Sequence, residues 1–499
     1  MGIIKKQTIK GTIYSYLGVL IGFLSTNYLM PQSSLTPAQI GLIGILTSAP
    51  LMFSQFSILG FNGTARYFPY FRNEEKKHHG YLFLACAVSL LGTVLFVLIA
   101  LLFKDQIVSH QATGKASQSS ALFNSYYWYL IPLTIFTSFF NVFDLYARML
   151  YNMTTGLILR EFTKRLLILV PIILMYLRLI SFELFMWLWL VANLIPTFFI
   201  IARLIRDGQF SLKPDLDFLT RDMVNKLVGI CFFTILTGMA PSIIQNIDNY
   251  LVFKKLDLSY AGVYMLAFNF GLIISLPTRS LYNIAYTIVS ESWKSNDLKN
   301  ISTVYEKSCV TQLISSLFLF ILMWASIDNI FGLLPPVYSA GKYAVFFVSL
   351  GFLIEASTGI NGVIMASSKY FRYEALFNLL LVGLIIGGNL ILIPIYGITG
   401  SGIASAATYL IFNLFRYIFI WVKFGMQPFT MQCVLALAAG ILAYYLSVWI
   451  LPHIGNYYVD TIVRTAFITA LYLPAVYFLK LSEDINSIID GAIAKLKGR

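Results

Sequence analysis

Charged side chains are scarce in this chain. Asp, Glu, Lys and Arg make up 11% of its 499 residues, against about 25% in ordinary soluble domains, whereas hydrophobic residues make up 58%. A chain with this balance has too little polar surface to cover its apolar core in water, so we expect lipid to surround it. The composition therefore excludes a set of soluble domains.

Strand-like alternation and the usual chemical motifs are missing as well. Backbone polar groups must be paired internally in lipid, so only helix bundles and closed barrels span membranes, and unbroken apolar runs such as residues 82–103 favour helices. No metal, phosphate-loop or nucleophile motif occurs, which predicts a protein without metal, cofactor or enzymatic activity. The four cysteines are expected to be small buried hydrophobes: Cys86, Cys231, Cys309 and Cys433.

Fourteen apolar stretches are predicted to cross the bilayer, which takes about twenty residues per helix, and the shortest of them, 166–177, could extend back over 163–165. In order they are residues 9–30, 40–61, 81–103, 126–150, 166–177, 182–202, 227–252, 261–282, 310–333, 343–367, 375–393, 400–422, 431–450 and 461–479. The sequence therefore predicts an all-α integral membrane protein with about 14 transmembrane helices.

Lys and Arg predict the orientation of these helices, because cytoplasmic loops are enriched in both. With the N-terminus inside, the inner segments hold 28 of the 35 Lys and Arg residues. We therefore expect both termini in the cytoplasm. The bias also accounts for the net charge of +13 without nucleic acid. His78 and His79 follow two lysines in an inner loop, and we expect them to be solvated.

Two outer turns share a short pattern. Residues 35–42 and 256–263 both read Leu-[Thr/Asp]-x-x-x-[Ile/Ala]-Gly-[Leu/Val], and they precede the second and eighth predicted helices. Six helices separate them, so both halves enter the membrane from the same side. This predicts two six-helix lobes related by a parallel pseudo-two-fold axis along the membrane normal.

Several stretches resemble one family. The segments Gln-Asn-Ile-Asp-Asn-Tyr at 245–250 and Ala-Gly-Val-Tyr at 261–264, followed by Pro277, resemble helices seven and eight of polysaccharide and O-antigen flippases. Residues 389–404 resemble that family's turn between helices eleven and twelve, and residues 11–23 with 40–42 look similar too. These flippases belong to the multidrug/oligosaccharidyl-lipid/polysaccharide (MOP) exporter superfamily.

The resemblance implies an architecture. The N-terminal lobe would span residues 1–208 and the C-terminal lobe 209–425, with two extra helices at 426–481. The tail at 482–499 has apolar residues on one helical face and is expected to lie on the cytoplasmic membrane surface.

The resemblance also implies a function. We expect polyprenyl-diphosphate-linked oligosaccharide to move from the inner to the outer leaflet of a bacterial cytoplasmic membrane by alternating access. The implied partners are that substrate, membrane lipid, a proton or sodium ion, and polysaccharide polymerase machinery. Lipid II flippases, which are relatives, carry arginines on their first two helices, where this chain has Thr26, Asn27 and Gln55. That difference favours an O-antigen or lipopolysaccharide repeat unit over lipid II.

Charged and amide side chains inside apolar helices are the candidates for function, because burying a charge in a membrane costs roughly 2.5–3.5 kcal/mol. Basic residues at inner helix ends can also be explained by the orientation bias, and amides can simply join helices. The predicted coupling residues are Glu355, expected to pair with Arg416, and Asp248. The predicted substrate-binding residues are Arg66, Asp144, Arg148, Arg279, Arg416, Asn27, Gln55, Asn269 and Asn361.

Two alternatives stay open. One is an ion-coupled multidrug exporter of the same superfamily, although such exporters typically have twelve helices. The other is a polysaccharide polymerase or ligase, although the longest outer loop, residues 104–125, is mostly Ser, Gln, Ala and Thr and offers little for catalysis.

Overall fold

The computed structural model describes residues 2–108, 115–215 and 217–496. The chain is 86% helix, and the described part contains no strand. The prediction of an all-α membrane protein is therefore confirmed. Contacts divide the chain into two compact units, Met1–Met265 and Leu266–Arg499, here called the first and second units.

The first unit begins with α1, which continues through a π-helical turn, Ser25–Leu29. Its helix α5 is built from three consecutive helical segments. The long helices are α1 Gly2–Leu24, α2 Pro37–Ser57, α3 Tyr81–Leu102, α4 Leu130–Met149, α5 Thr154–Ile158 with Leu159–Thr163 and Lys164–Tyr176, α6 Phe182–Arg206 and α7 Arg221–Lys255. The predicted outer loop at 104–125 contains the helices Lys104–Val108 and Lys115–Tyr126.

Helix α8 begins just inside the first unit and continues into the second. It passes through a short 3₁₀ turn and ends at Lys294. The long helices from here on are α8 Leu258–Leu272 with Leu276–Lys294, α9 Leu298–Ala325, α10 Lys342–Ser357, α11 Phe371–Tyr396, α12 Ile398–Phe424, α13 Met431–Ile450, α14 Tyr457–Phe478 and α15 Glu483–Leu496.

Twelve helices in the described ranges are long and apolar enough to cross a membrane. Helices α5 and α7 stand at the two remaining predicted spans but are not among the twelve. The first half of α5 carries four charged side chains: Arg160, Glu161, Lys164 and Arg165. Fourteen spans, and the lobe boundaries at 208 and 425, therefore stay predictions.

Glycines at the start of α2 and α8 support the predicted repeat. A Cβ on Gly41 would lie 1.9 Å from the carbonyl oxygen of Leu258, and a Cβ on Gly262 would lie 2.2 Å from that of Pro37. Each glycine thus lets the start of the other helix approach its backbone. The contact is reciprocal, as a two-fold relation between the two turns requires.

The prediction of one continuous helix over residues 343–367 is wrong. The apolar run at 343–367 is not one helix, because α10 ends at Ser357 and a short helix, Asn361–Ser367, follows. Gly359 between them has φ +64°, a left-handed conformation that glycine adopts easily, and it packs against the backbone of Cys309 on α9. The break places Glu355 at the end of one helix and Asn361 at the start of the next.

The prediction that His78 and His79 are solvated is wrong. Their exposed fractions are 1% and 8%, because both rings pack under the segment that joins α6 to α7. The cysteine prediction holds for Cys309 and Cys433, which are buried, whereas Cys86 and Cys231 are half-buried.

The tail forms the predicted helix. Helix α15 is preceded by Ser482, whose hydroxyl accepts a hydrogen bond from the Ile485 amide at 3.4 Å. Lys307 on α9 pairs with Glu483 at 2.7 Å. The location of α15 on the membrane surface remains a prediction.

Topology can be tested with single cysteines at four exposed positions, in a variant that lacks the native cysteines. We expect an impermeant thiol reagent applied to whole cells to label positions 124 and 456, which are predicted to be outside. Positions 76 and 213, predicted to be inside, should be labelled only after the cells are permeabilised. Labelling at 213 but not at 456 in intact cells would contradict the predicted topology.

Candidate functional site

The first unit contains a polar cavity of about 310 Å³. It lies between α2, α3, α4 and the start of α5. Its walls combine apolar and aromatic groups with amides and two arginines: Gln55, Ile58, Phe61, Asn62, Tyr81, Ala85, Asn141, Val142, Leu145, Tyr146, Arg148, Met149 and Arg160. We call this the arginine cavity.

A second cavity of about 250 Å³ adjoins the first. The two share Gln55, Asn141 and Arg160. The second cavity is bounded by α2, α4, α5, α6 and α7. Half of its ten polar side chains are amides: Gln55, Asn141, Asn193, Gln245 and Asn246, with Ser242, Thr137, Thr197, Arg160 and Lys164. No carboxylate is among the described residues that line it. We call this the amide cavity.

One buried carboxylate holds the two arginines of the arginine cavity. Asp144, whose side chain is 6% exposed, lies 2.8 Å from Arg160 and 3.2 Å from Arg148. The arginine side chains remain 44% and 48% exposed, so they have surface left for a ligand. Arg160 also donates to the Asn141 amide oxygen at 3.0 Å. The cluster therefore carries a net positive charge with two guanidinium groups fixed side by side.

Helix α5 reaches this cluster through its π-helical turn, Leu159–Thr163. Such turns are rare and occur often at functional sites. Helix α1 packs directly on it, since a Cβ on Gly18 would lie 1.9 Å from the Glu161 carbonyl oxygen. The turn thus orients Arg160 while α1 holds the backbone in place.

Gly156 allows α5 to approach Asp144. A Cβ at this position would lie 1.7 Å from Asp144 Oδ1. We expect Gly156→Ala to displace the carboxylate and both arginines, at a cost of about 1–3 kcal/mol in stability, and to reduce transport. Gly383→Ala on α11 is the control, since nothing lies within 4 Å of its Cβ position. Equal transport and equal unfolding temperatures for the two variants would show that the close approach does not matter.

The second unit holds a separate buried cluster on α10, α11 and α12. Arg416 has a side chain that is 7% exposed, and it forms a bidentate ion pair with Glu374. Its guanidinium also lies 3.8 Å from the Glu355 carboxylate. Asn413 donates to Glu355 at 2.5 Å and accepts from Asn361 at 2.8 Å. Two carboxylates thus surround one arginine.

No protein-family model and no curated protein matches this sequence. Solved structures do match. The lipid II flippase MurJ in an inward closed conformation superposes with a TM-score of 0.73 at 13% identity, over 94% of this chain and 98% of that one. An inward-facing multidrug resistance MATE family transporter of the MOP superfamily gives 0.63 at 13% identity, over 82% and 94%. A MOP superfamily transporter from Pyrococcus furiosus gives 0.52 at 12% identity, over 85% and 95%.

The chain shares the fold of these transporters. At 13% identity the similarity shows the fold alone, so the roles of individual residues must be argued from their geometry. The shared fold agrees with the predicted all-α membrane protein, whereas the lobe boundaries and the two extra helices stay predictions. The O-antigen subtype remains a prediction.

The fold brings three predicted residues together in the first unit. Gln55 and Arg148 line the arginine cavity, and Asp144 lies behind it. Asp144 is buried against both arginines and holds them in place, and its predicted contact with the substrate stays a prediction.

The other predicted residues of the first unit lie elsewhere. Arg66 is exposed on the turn after α2, with its guanidinium 5.7 Å from the ring centre of Tyr67. Asn27 is buried in the π-helical turn of α1. Asp248 is buried on α7 and accepts a hydrogen bond from the Tyr264 hydroxyl at 2.9 Å. None of the three lines either cavity.

The second unit contains the remaining predicted residues. Glu355, Arg416 and Asn361 belong to the buried cluster, whereas Asn269 is half-buried on α8. The expected pair of Glu355 with Arg416 is the longer of two contacts, because Glu374 lies closer. The side chain of Arg279 lies outside the described part of the structure.

Sequence reasoning missed Arg160, Lys164 and Glu374. The first two precede the predicted apolar run at 166–177, and Glu374 immediately precedes the run that starts at 375. The available signal was the spacing of Arg160 and Lys164, which are four residues apart and fall on one helical face.

Proposed function

We propose that this protein is a flippase that moves polyprenyl-diphosphate-linked oligosaccharide, of the polysaccharide or O-antigen type, from the inner to the outer leaflet by alternating access. One observation carries the proposal: two arginines held by a single buried carboxylate face a cavity that adjoins an amide-lined one. A diphosphate linked to a sugar needs both kinds of surface next to each other.

The arginine cavity suits the diphosphate. Guanidinium groups bind phosphate oxygens with paired, charge-assisted hydrogen bonds. Arg148 and Arg160 supply two of these groups, and Lys164 in the adjoining lining adds a third cation. Asp144 keeps both arginines in position before the substrate arrives, which reduces the ordering cost of binding.

The amide cavity suits sugar hydroxyls. The amide nitrogen of Asn193 donates to the Trp189 carbonyl at 2.8 Å, and that of Asn246 donates to the Ser242 carbonyl at 2.8 Å. Both amide oxygens thereby remain as acceptors for hydroxyl groups. The absence of carboxylates from this lining also disfavours cationic drugs, which would need a counter-charge.

The order of the two cavities along α4 fits a substrate that enters from the cytoplasm. Phe136 lines the amide cavity and Met149 ends the arginine cavity, a separation of about 20 Å at 1.5 Å per residue. With the predicted topology, the cationic end faces the inner leaflet. The sugar would then enter first, while the diphosphate remains near the level of the headgroups.

Glu355, Arg416 and Glu374 are proposed to carry the coupling ion, a proton or sodium, with Asp248 as a further candidate. A carboxylate that has an arginine at 3.8 Å and a side chain 24% exposed can exchange that partner for a small cation. We place the protein in the bacterial cytoplasmic membrane and propose contact with the polymerase machinery that receives the product.

An ion-coupled multidrug exporter is the second candidate, favoured by the fold shared with the MATE transporter and by the buried carboxylates of the second unit. Binding distinguishes the two. Purified protein should bind polyprenyl diphosphate more tightly than polyprenyl monophosphate, and a lipid-linked oligosaccharide more tightly still. Equal binding of all three, or tighter binding of a cationic dye, would favour the exporter.

A further inference from the structure

The segment between α6 and α7 connects the two predicted halves. It runs from Asp207 to Thr220 and has no regular structure over most of its described residues. A linker of this length would ordinarily allow the helices on either side to move independently. In this structure, however, the linker is held by hydrogen bonds and packing to the loop between α2 and α3.

Three consecutive side chains of the loop between α2 and α3 bind this linker. Lys77 donates to the Gly208 carbonyl at 3.1 Å, His78 bonds the Gln209 side chain at 3.0 Å, and His79 bonds Asp215 at 2.7 Å. The Nδ1 atom of His78 accepts a hydrogen bond from the backbone N–H of Asn73. The proton of the neutral ring is therefore on Nε2, which donates a hydrogen bond to the side-chain oxygen of Gln209.

The backbone of these three residues is strained to make the contacts. Lys77, His78 and His79 have φ values of 48°, 55° and 47°. Consecutive left-handed residues other than glycine are rare because each Cβ crowds the following carbonyl oxygen. Such strain persists only when surrounding contacts enforce it, and it is often found in switch regions.

Packing fastens the linker at further points. The His79 ring stacks on the Phe218 ring with centres 3.9 Å apart. The ring of Phe71 also packs against Phe218, with ring centres 5.2 Å apart. The Tyr146 hydroxyl on α4 donates to the Gln209 carbonyl at 3.2 Å. Gly80 allows the backbones to meet, since its Cβ would lie 2.9 Å from the Asp215 amide.

We propose that Lys77, His78 and His79 form a clamp that makes the linker, up to Phe218, part of the body formed by α2 to α6. Bending during transport is then confined to the two residues before α7. The clamp stays closed in every facing state. A loose linker would absorb the motion of α7, whereas a clamped one transmits it.

The test uses His79→Cys with Asp215→Cys in a variant that lacks the four native cysteines. Without a cross-link the clamp is weakened, and we expect transport to fall about 2- to 30-fold, the usual range for residues that couple sites without touching ligand. A short bifunctional thiol reagent should restore transport. Binding of polyprenyl diphosphate should be unchanged throughout, which separates this inference from the proposed substrate.

Two controls complete the experiment. Lys76→Ala changes an exposed lysine of the same loop and should transport normally. A cross-link between cysteines at 51 and 242, where the Ser242 hydroxyl contacts the Leu51 carbonyl at 3.0 Å, should block transport if α2 and α7 must separate. The clamp is overturned if the 79–215 cross-link abolishes transport, or if the double variant without a cross-link transports as well as its parent.

Discussion

Arg160→Ala is expected to reduce transport about 10- to 150-fold, the loss that corresponds to one hydrogen-bonded charge pair of about 1.5–3 kcal/mol. Arg160 lines both cavities and is held by Asp144 and Asn141. Its removal deprives the diphosphate of one guanidinium and leaves Asp144 less well neutralised. Arg160→Lys keeps the charge but cannot form paired bonds, so an intermediate loss is expected.

Arg203→Ala is the matched control for this change. Arg203 on α6 is 47% exposed and pairs with Asp207 at 2.8 Å, which nearly reproduces the exposure and ion-pair distance of Arg160. It lines neither cavity. Transport by Arg203→Ala should stay within about twofold of the parent, as expected for an exposed ion pair. Equal losses in the two variants, at equal membrane abundance, would remove the cavity from the account.

Glu355→Gln is expected to leave membrane abundance normal, to lower transport and to change its dependence on pH or sodium. Glutamine keeps the shape and can still accept the hydrogen bond from Asn413. It cannot alternate between Arg416 and a cation. Full transport with an unchanged pH and sodium profile would rule out a coupling role for Glu355.

Glu374→Gln should behave differently. Glu374 is the nearer partner of Arg416, and both are buried. Removing one charge from a buried pair costs about 3–5 kcal/mol because the other charge is left uncompensated, although Glu355 at 3.8 Å offsets part of that loss. We therefore expect a lower unfolding temperature and lower abundance. A variant as stable as Glu355→Gln would contradict this division of roles.

Much of the fold could be predicted because membrane helices are read from length and apolarity alone. The predicted spans overlap all twelve candidate helices in the described ranges, and the paired pattern before α2 and α8 marks a reciprocal backbone contact. The same rule failed for α10, where Gly359 breaks a run that is long and apolar enough for a single span.

The site was harder to predict because its decisive residues do not lie in apolar runs. Arg160 and Lys164 stand in a helical segment that resembles an inner loop in composition. Asp144 was found as a buried charge, but its partner on another helix depends on Gly156, whose role is visible only when the two helices are packed. His78 and His79 were misread for a similar reason, since burial by a linker leaves no periodic pattern.

The most direct test is movement of substrate in vesicles that contain only this protein. A labelled polyprenyl-diphosphate oligosaccharide is placed in one leaflet, and its appearance in the other is followed with an impermeant reagent. We predict protein-dependent movement that requires both Arg148 and Arg160 and that does not extend to cationic dyes. Absence of movement, or dye transport that persists in the Arg148→Ala, Arg160→Ala double variant, would contradict the account.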